Sequence, residues 1–526
     1  MRSTFHLLEV SKRGLFAQQS ALNTTGHNIS NANTEGYTRQ RANMSATKGI
    51  PAPGMNADRS PGLLGTGVQV TELQRIREDF LDVQFRTENK HYGFYEARRD
   101  GLEKIEVIMN EPSETGLQKV MDELWKSWQD LAKEPESLSA RAVVRQRAVA
   151  LVETFSAVTT SLNELQNDLD SVVRVKVIDI NSMAQQIANL NKQIADVVPH
   201  GYQPNDLYDQ RDVLIDKLSK MAEVKVTNAE SGMVNVTIDG RELVTGRTSA
   251  PMLATENPKT GFVDITLGGT PFVPVTGSLA GTYEVRGEAK IETVIVDGQE
   301  QEIITKTGRI DDILNKLDLL AVNLTKEINK IHSSGVNLID MENLKKDPNA
   351  PYQELPFFVD AQDLQTNPNT KKDPTSARSI AVNPAIIASL NAIAAAQKDP
   401  VSTSSGTSFE GDGRNARDIA SIKFKTINAG TGTGDLDATS TLDDYYRYTI
   451  AQLGVDSQEA QRMEKNSELL VGQVDIQRQS VSGVSIDEEM SELVKYQHAY
   501  SASARVMTSM DEILDRIING MGRVGL

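Results

Sequence analysis

Apolar residues recur at intervals of seven positions near both ends of the chain. At the N-terminal end the repeat comprises Leu8, Leu15, Leu22 and Ile29. At the C-terminal end it comprises Leu493, Tyr500, Met507, Leu514 and Met521, with Ile518 on a second line beside it. A heptad repeat is typical of a helix whose narrow apolar seam packs against a partner helix. We therefore predict terminal coiled-coil helices within residues 1–65 and 485–526.

The partner of each terminal seam is open at this stage. The two seams pair either with each other or with other subunits, because neither terminal segment has enough chain around it for a globular core. The alternative is an ordinary amphipathic helix that packs on its own domain.

Inward from the termini, longer apolar lines at helical spacing predict a bundle of long helices. Its segments are residues 66–223, 306–337 and 441–484. Between Pro135 and Pro199 the line comprises Leu151, Phe155, Val158, Leu162, Leu165, Leu169 and Val172, and after a change of phase it continues from Ile180. As one helix this stretch would be roughly 85–90 Å long, which is typical of a rod-like bundle.

The middle of the chain changes to a period of two. Val234, Val236 and Ile238 alternate with polar residues before Asp239-Gly240, and Asp297-Gly298 ends a similar run. Alternation followed by Asp-Gly indicates β-hairpins, so residues 224–305 are predicted to be an inserted β-rich domain. The predicted fold is mainly α, with this domain nested between bundle helices and farthest from the termini.

Residues 338–440 are mixed and rich in loop signals. We predict one short helix there, from Ile386 to Ala396. The sequence does not decide whether this segment packs on the β-rich domain or on the bundle.

Composition and charge exclude several classes of protein. The net charge of −17 argues against a general nucleic-acid binder, although residues 1–50 carry a local excess of basic residues. The absence of cysteine excludes disulfides and thiolate metal sites. No apolar run is long enough to predict a membrane span, and no cleaved secretory signal is recognisable. These features indicate a cytoplasmic protein, or one exported by a route that needs no cleaved signal.

Candidate catalytic chemistry is sparse. The six histidines are scattered, and neither a His-Glu-x-x-His nor a Gly-x-Ser-x-Gly motif occurs. The glycine-rich run at 430–435 lacks the lysine of a phosphate-binding loop. We therefore predict no enzyme, no cofactor and no metal site.

The first predicted helix is followed directly by the polar stretch NISNANTEGYTRQ, residues 28–40. Asn31, Asn33 and Gly36 can adopt turn conformations, and Tyr37 can anchor the turn on a neighbouring element. These four residues are our candidates for a structured polar turn. The alternative is a plain helix C-terminus followed by a loop.

This stretch resembles the N-terminal signature of the bacterial flagellar axial proteins, with Ser30 and Glu35 as departures from it. The stretch SVSGVSIDEEMSELVKYQHAYSASARVMTSMDEILDRII, residues 480–518, resembles the C-terminus of the flagellar hook-associated protein 1 family. Internal pieces such as SIAVNPAI, residues 379–386, agree with that family.

The resemblance implies a structural protein that polymerises at the distal end of the hook and adapts the hook to the filament. Its implied partners are further copies of itself in a helical ring, the hook protein, a second hook-associated junction protein, and an export chaperone on the C-terminal helix. It also implies an extracellular location in the flagellum, export without a cleaved signal, and termini that are disordered in the monomer. Axial packing is then expected from Leu8, Leu15, Leu22, Ile29, Leu493, Tyr500, Met507, Leu514 and Ile518.

Other functions remain open on the sequence alone. A hook or distal-rod protein is the nearest alternative, although the long bundle and the string SGVSIDEE argue against it. An enzyme in the inserted domain would need clustered His, Asp or Glu between residues 224 and 440. A cytoplasmic coiled-coil scaffold would not need the Asn-rich signature.

Overall fold

A computed structural model describes residues 5–50, 64–296, 299–347, 349–398, 410–426 and 440–520, in which helix predominates. The helices in this part of the chain are α1 (His6–Ser30), α2 (Asp79–Met109), α3 (Leu117–Lys133), α4 (Leu138–Val197), α5 (Asn205–Met221), α6 (Gly277–Arg286), α7 (Arg309–Ser334), α8 (Leu338–Lys346), α9 (Ala361–Thr366), α10 (Pro384–Ala388), α11 (Arg414–Ser421), α12 (Leu442–Ser482) and α13 (Ile486–Gly520). The prediction of a mainly α fold with terminal helices and a central β-containing region is confirmed.

The strands form small antiparallel sheets. They are β1 (Gln40–Ala46), β2 (Val68–Arg75), β3 (Val224–Asn228), β4 (Val234–Ile238), β5 (Arg241–Thr245), β6 (Thr248–Ser249), β7 (Met252–Glu256), β8 (Val263–Leu267), β9 (Thr270–Pro271), β10 (Glu288–Val296), β11 (Gln299–Thr307), β12 (Gly335–Val336), β13 (Phe358–Asp360), β14 (Ile380–Val382) and β15 (Ala396–Gln397). Strands β3 to β6 form one sheet in sequence order, and β7 to β9 form another. The remaining strands pair as β1–β2, β10–β11, β12–β15 and β13–β14.

Helix α4 is one uninterrupted element of 60 residues, about 90 Å long at 1.5 Å per residue. Its N-terminal half contributes Phe155 and Leu162 to a core shared with α3, α7 and the start of α12. Its C-terminal half contributes Val173 and Ile187 to a second core shared with α5, α6 and the β sheets. A single helix therefore joins the two apolar cores.

The change of phase predicted within α4 is wrong. Val172 is 37% exposed, whereas Val173 and Val177 are buried and continue the line from Leu169 to Ile180 without interruption. Either Val172 or Val173 could be the buried residue that continues the apolar line, and the prediction from periodicity alone assigned Val172.

The prediction of an inserted β-rich domain at residues 224–305 did not include α6. Nine of its ten residues are buried, so it carries no polar stripe from which amphipathic periodicity could be read. It also approaches α2 very closely, since a Cβ at Gly281 would lie 2.4 Å from the Phe94 carbonyl oxygen.

In the described part of 338–440, apolar residues that include Phe357, Ile380 and Ile419 belong to the first core. Met341 and Ala396 belong to a small separate cluster with Val336. The helix predicted from Ile386 to Ala396 is wrong in its bounds. Asn383 caps α10 at its start, and the α-helix ends at Ser389, which is extended. A single 3-10 turn follows at Leu390–Ala392, and the chain is extended again at Ile393. The carbonyl oxygen of Ile393 accepts a hydrogen bond from Arg141, and that of Ala394 accepts one from Asn415. Tertiary contacts therefore replace the helical hydrogen bonds that the composition favours.

Three sequence features lie outside the described residues: the turn Asp297-Gly298, the glycine-rich run at 430–435 and Met521. Within the described ranges, none of the helices combines the length and the apolar character that crossing a bilayer requires.

Candidate assembly site at the terminal helix pair

Helices α1 and α13 pack side by side in antiparallel orientation. Asn28 contacts Glu489 near one end of the pair, and Gly14 lies against Ser503 further along. A Cβ at Gly14 would lie 3.2 Å from Ser503 Oγ, so the helices are in close contact there. Of the two pairings that the heptad seams allowed, the structure shows the one between the two termini.

The face of α1 that is buried in the molecule consists of small and polar side chains. It comprises Ser11, Ala17, Ala21, Thr24, Thr25 and Asn28. The predicted seam of α1 (Leu8, Leu15, Leu22 and Ile29) lies beside this face and is only half-buried. The small residues allow the close approach, and the leucine seam borders it.

The predicted seam of α13 is half-buried at some positions and exposed at others. Leu493, Met507 and Leu514 are half-buried, whereas Tyr500 is 38% exposed and Ile518 is 69% exposed. Their proposed part in contacts with other subunits therefore stays a prediction.

Large apolar side chains lie on the outside of the pair. On α1 these include Leu7 and Phe16, and on α13 they include Val494, Ile513 and Ile518. Exposed large apolar side chains on both helices of the pair indicate a site for association with another protein.

The predicted polar turn is structured and docks on α5. Asn31 caps the end of α1, since its side-chain amide donates to the His27 carbonyl oxygen over 3.0 Å and its side-chain oxygen accepts from Thr34. Gly36 has φ +74°, and a Cβ there would lie 2.0 Å from Val213 Cγ2 of α5. Asn33 is exposed. The turn therefore needs glycine at position 36 for both backbone and space.

Asn28 is the centre of the contacts between the turn and the terminal pair. It is 1% exposed. Its amide nitrogen donates to the Gln40 carbonyl oxygen over 2.8 Å and to Glu489 Oε2 over 2.9 Å. Its oxygen accepts from the Tyr37 hydroxyl over 2.8 Å and from the Gln40 backbone N–H over 3.0 Å. Every donor and acceptor position of this side chain is thus occupied.

Glu489 connects α13 to the same centre. The residue is 2% exposed, and Arg39 Nε donates to its Oε1 over 2.6 Å. Arg39 also contacts the exposed Glu488 over 2.7 Å. The Arg39 backbone N–H donates to the Ser482 carbonyl oxygen over 2.9 Å, so Arg39 binds both the end of α12 and the start of α13.

Four acidic residues on one face of α5 continue this arrangement into the bundle. We call Asp206, Asp209, Asp212 and Asp216 the carboxylate row. Asp206 accepts from Gln40 Nε2 over 3.0 Å. Asp209 accepts from the Thr38 backbone N–H over 3.0 Å. The row therefore holds the strand that leaves the polar turn.

The other end of the carboxylate row binds arginines from three different elements. Asp209 and Asp212 contact Arg75 at the end of β2. Asp212 also contacts Arg77, over 3.3 Å. Asp216 contacts Arg86 of α2 over 2.7 Å and Arg478 of α12 over 2.5 Å. Ion pairs that are mostly buried thus join the terminal segments to the helical bundle.

The pKa shifts follow from this arrangement. Burial alone would raise the pKa of Asp212, but the guanidinium groups of Arg77, Arg75 and Arg86 together hold it below its usual range. Burial raises the pKa of Asp209, and Arg75 offsets this only in part. Burial and the nearby Asp206 carboxylate raise the pKa of Tyr37, so its hydroxyl keeps its proton and donates to Asn28.

Sequence reasoning found the turn but missed the residues that dock it, namely Asn28, Arg39, Gln40, Glu489 and the carboxylate row. One signal was available, because NDLYDQRDVLID repeats aspartate at intervals of three and four along a helix. Such a row is usually a solvated face. Its arginine partners are more than a hundred positions away in the sequence, so no local pattern could reveal the pairing.

A cleft of about 950 Å³ lies between the polar turn and the connection from α12 to α13. Its charged walls include Arg77, Asp216 and Arg478, which are already engaged in ion pairs. Across the ranges the structure describes, no group of three or more His, Cys, Asp or Glu residues could hold a metal ion.

Three family models match separate parts of the chain. The one described as "Flagella basal body rod protein" matches residues 8–38, which contain α1 and the polar turn. The one described as "Flagellar basal body rod FlgEFG protein C-terminal" matches residues 477–520, which contain α13. The "Flagellar hook-associated protein FlgK helical domain" matches residues 102–345. The two shorter matches coincide with the paired terminal helices.

Whole-chain relatives agree with these matches. Flagellar hook-associated protein 1 of Bacillus subtilis is 36% identical over 548 aligned positions that cover 99% of each chain. The proteins of the same name from Salmonella typhimurium and Escherichia coli are 25% identical, with 98% of this chain and 99% of theirs covered.

A solved structure shows the same fold. It is described as the flagellar hook junction protein FlgK from Burkholderia pseudomallei, and it superposes with a TM-score of 0.55 at 16% identity, covering 77% of this chain and all of that one. Given the 36% identity over nearly its whole length, the chain belongs to the flagellar hook-associated protein 1 family, the structural proteins of the hook–filament junction.

Proposed function

We propose that the α1–α13 pair is the element through which this chain polymerises at the distal end of the hook. One observation carries the proposal: α1 buries small and polar side chains where it packs, and large apolar side chains of α1 and α13 remain exposed. A helical tube needs heterologous contacts that do not close into a dimer. The outer residues of α1 and α13 supply such contacts, and the half-buried seam residues border them.

The proposed partners follow from this role. They are further copies of the chain in a helical ring, the hook protein on one side, and a second hook-associated junction protein on the other. No enzymatic activity is proposed, because the family is structural. The proposed location is the outside of the cell, after export without a cleaved signal peptide.

A chaperone would bind the C-terminal helix before export. Leu493, Met507 and Leu514 would otherwise be exposed in the cytoplasm whenever α13 is not packed. The full chain and a chain ending at residue 484 can be compared as baits in a cytosolic pull-down. A specific partner held only by the full chain would support the proposal, and equal binding to both baits would contradict it.

Assembly itself is tested in a strain that lacks the gene. Complementation with the intact gene should restore filaments on the hooks, as seen by electron microscopy, and should keep filament subunits from being lost to the medium. The double variant Phe16→Ser and Ile518→Ser should fail to join the hook, because it removes apolar surface from both helices of the pair.

A matched control lies elsewhere on the molecule. Ile178 of α4 is 64% exposed, close to the 69% of Ile518, so Ile178→Ser matches the Ile518→Ser half of the double variant at a position away from the terminal pair. Normal filaments with Ile178→Ser and bare hooks with the double variant would support the proposal. Normal filaments with both would show that the outer face of the pair is not the assembly surface.

A further inference from the structure

The apolar repeats that border the contact of the terminal pair fit more than one alignment of its two helices. Apolar residues recur every seven positions on both α1 and α13. A displacement of one helix by seven residues, about 10 Å, presents the same face again. Apolar packing alone therefore leaves the register of the pair undetermined.

Two contacts distinguish the observed register from its neighbours. Asn28 lies opposite Glu489, and Gly14 lies opposite Ser503. A displacement by seven residues in one direction would place Tyr496 opposite Asn28 and Met510 opposite Gly14. A displacement in the other direction would place Tyr496 opposite Gly14 and would leave no residue of α13 opposite Asn28, because the corresponding residue, Ser482, belongs to α12.

Neither displaced register satisfies the buried polar groups. Asn28 would lose its bond to Glu489, and Glu489 would lose both Asn28 and Arg39, which are its partners in the observed register. A buried carboxylate without partners is strongly unfavourable. The close approach at Gly14 adds a steric term, since tyrosine or methionine would replace the small side chain of Ser503. Single buried polar residues are the best attested means of fixing register in paired helices.

We propose that the Asn28–Glu489–Arg39 cluster is a positioning site that selects the register of the terminal pair. The inference deepens the proposed assembly function and rests on it. The outer surface is composed of side chains from both helices, such as Phe16 and Ile513. A displaced register would shift one half of that surface along the other and spoil its fit to a neighbouring copy.

Disulfide trapping can report the register directly, because the chain contains no cysteine of its own. A Cβ built at Gly14 lies 3.8 Å from Ser503 Cβ, which is the usual separation in a disulfide. One chain would carry Gly14→Cys, Ser503→Cys and Met510→Cys. The thiol at position 14 can then form a disulfide with position 503 in the observed register or with position 510 in one displaced register. A second chain would carry Tyr496→Cys in place of Met510→Cys.

Because the resemblance implies that the termini become ordered on assembly, hooks that carry the full-length variants are isolated and equilibrated in a glutathione redox buffer. The cross-linked peptides are then quantified by mass spectrometry. In the parent background, the 14–503 product should exceed either displaced product at least about tenfold, given the strength of hydrogen bonds to charged groups. Glu489→Ala should reduce this ratio about tenfold or more. Glu489→Gln keeps an acceptor for Asn28 but loses the charge opposite Arg39, so its ratio should be intermediate.

Glu488→Ala is the matched control. Glu488 contacts the same Arg39 from the same helical turn, but its side chain is 63% exposed. Glu488→Ala should leave the ratio of the two products unchanged.

Tryptophan fluorescence and circular dichroism would establish that the two cores remain folded in every variant. Equal yields of observed and displaced products in the parent, or the same ratio in Glu489→Ala and Glu488→Ala, would overturn the inference. Blotting the isolated hooks for the chain scores incorporation separately from the ratio, so failure to join the hook is distinguished from a displaced register. If Glu489→Ala fails to join the hook, the ratio in Glu489→Gln decides the inference.

Discussion

Gly36 is the residue in the polar turn for which the structure allows the fewest substitutes. We expect Gly36→Ala to undock the turn from α5, because the new methyl group would overlap Val213 and the backbone has a positive φ. Hydrogen exchange of the backbone amides of Thr38 and Gln40 should become faster.

Gly26 of α1 is the matched control for this change, since a Cβ there would meet nothing within 4 Å. Gly26→Ala should stabilise α1 by up to about 1 kcal/mol through helix propensity. If both alanine variants accelerated exchange equally, or if neither altered it, the packing argument for Gly36 would be refuted.

His332 is a second residue whose surroundings fix its state. Its Nδ1 lies 2.7 Å from the Leu355 carbonyl oxygen, to which it donates, and its Nε2 accepts from the Ala394 backbone N–H over 2.9 Å. Burial lowers the pKa of His332 from 6.5 to about 4. A second proton would sit on Nε2 and face the N–H of Ala394, so the folded protein requires the neutral ring.

This gives a pH dependence with a definite sign. Between pH 6.5 and pH 4 the unfolded chain binds a proton at His332 that the folded chain does not, so the free energy of unfolding should fall as the pH falls. The full effect is roughly 3 kcal/mol at about 1.4 kcal/mol per pKa unit.

Urea unfolding at about pH 7 and about pH 4.5, on either side of most of this titration, measures this change in the free energy of unfolding. In His332→Gln the protein should be less stable at the higher pH, and the decline between the two pH values should be smaller. An equal decline in both proteins would contradict the assignment.

At the scale of elements, α5 joins the terminal segments to the bundle through the carboxylate row. We expect Asp212→Asn to destabilise the protein by about 3 kcal/mol, because it leaves Arg75, Arg77 and Arg86 with too little negative charge in a buried site. The lowered pKa of Asp212 means that its contribution is present above about pH 4 and is lost as the pH falls through its folded value.

Asp206→Asn is the control, since Asp206 belongs to the same row but its side chain is 57% exposed. It should change the urea midpoint little. Similar midpoints for the two variants would mean that the buried end of the row does not stabilise the fold.

The sequence predicted the elements whose residues have a strong local period. The heptads of α1 and α13, the long line through α4 and the alternation in β4 all correspond to observed helices and strands. Helix α6 was missed because it is buried on nearly every side. The candidate site was predicted only in part: Asn31, Gly36 and Tyr37 carry turn signals, whereas Glu489 and Asp209 derive their role from partners more than a hundred residues away.

At the scale of the molecule, α4 passes through both apolar cores, so their unfolding should be linked. The chain has two tryptophans, and both Trp125 and Trp128 lie in the first core. Ile187→Ala removes a fully buried side chain from the second core and should cost about 2–5 kcal/mol. We expect it to lower the urea midpoint that tryptophan fluorescence reports from the first core.

Ile178→Ala is the control on the same helix, because Ile178 is exposed. It should leave the fluorescence midpoint nearly unchanged. If Ile187→Ala also left it unchanged while circular dichroism showed an earlier transition, the two cores would unfold independently despite the shared helix.

The antiparallel orientation of α1 and α13 gives the terminal pair a directional response to mechanical load. The start of α1 and the end of α13 lie at the same end of the pair, so tension applied there separates the helices from His6 onward, one turn at a time, and needs little force. Shear along the helix axes must instead break the Asn28–Glu489 and Gly14–Ser503 contacts together. The two helices are thus easily separated from that end and resist sliding along their axes.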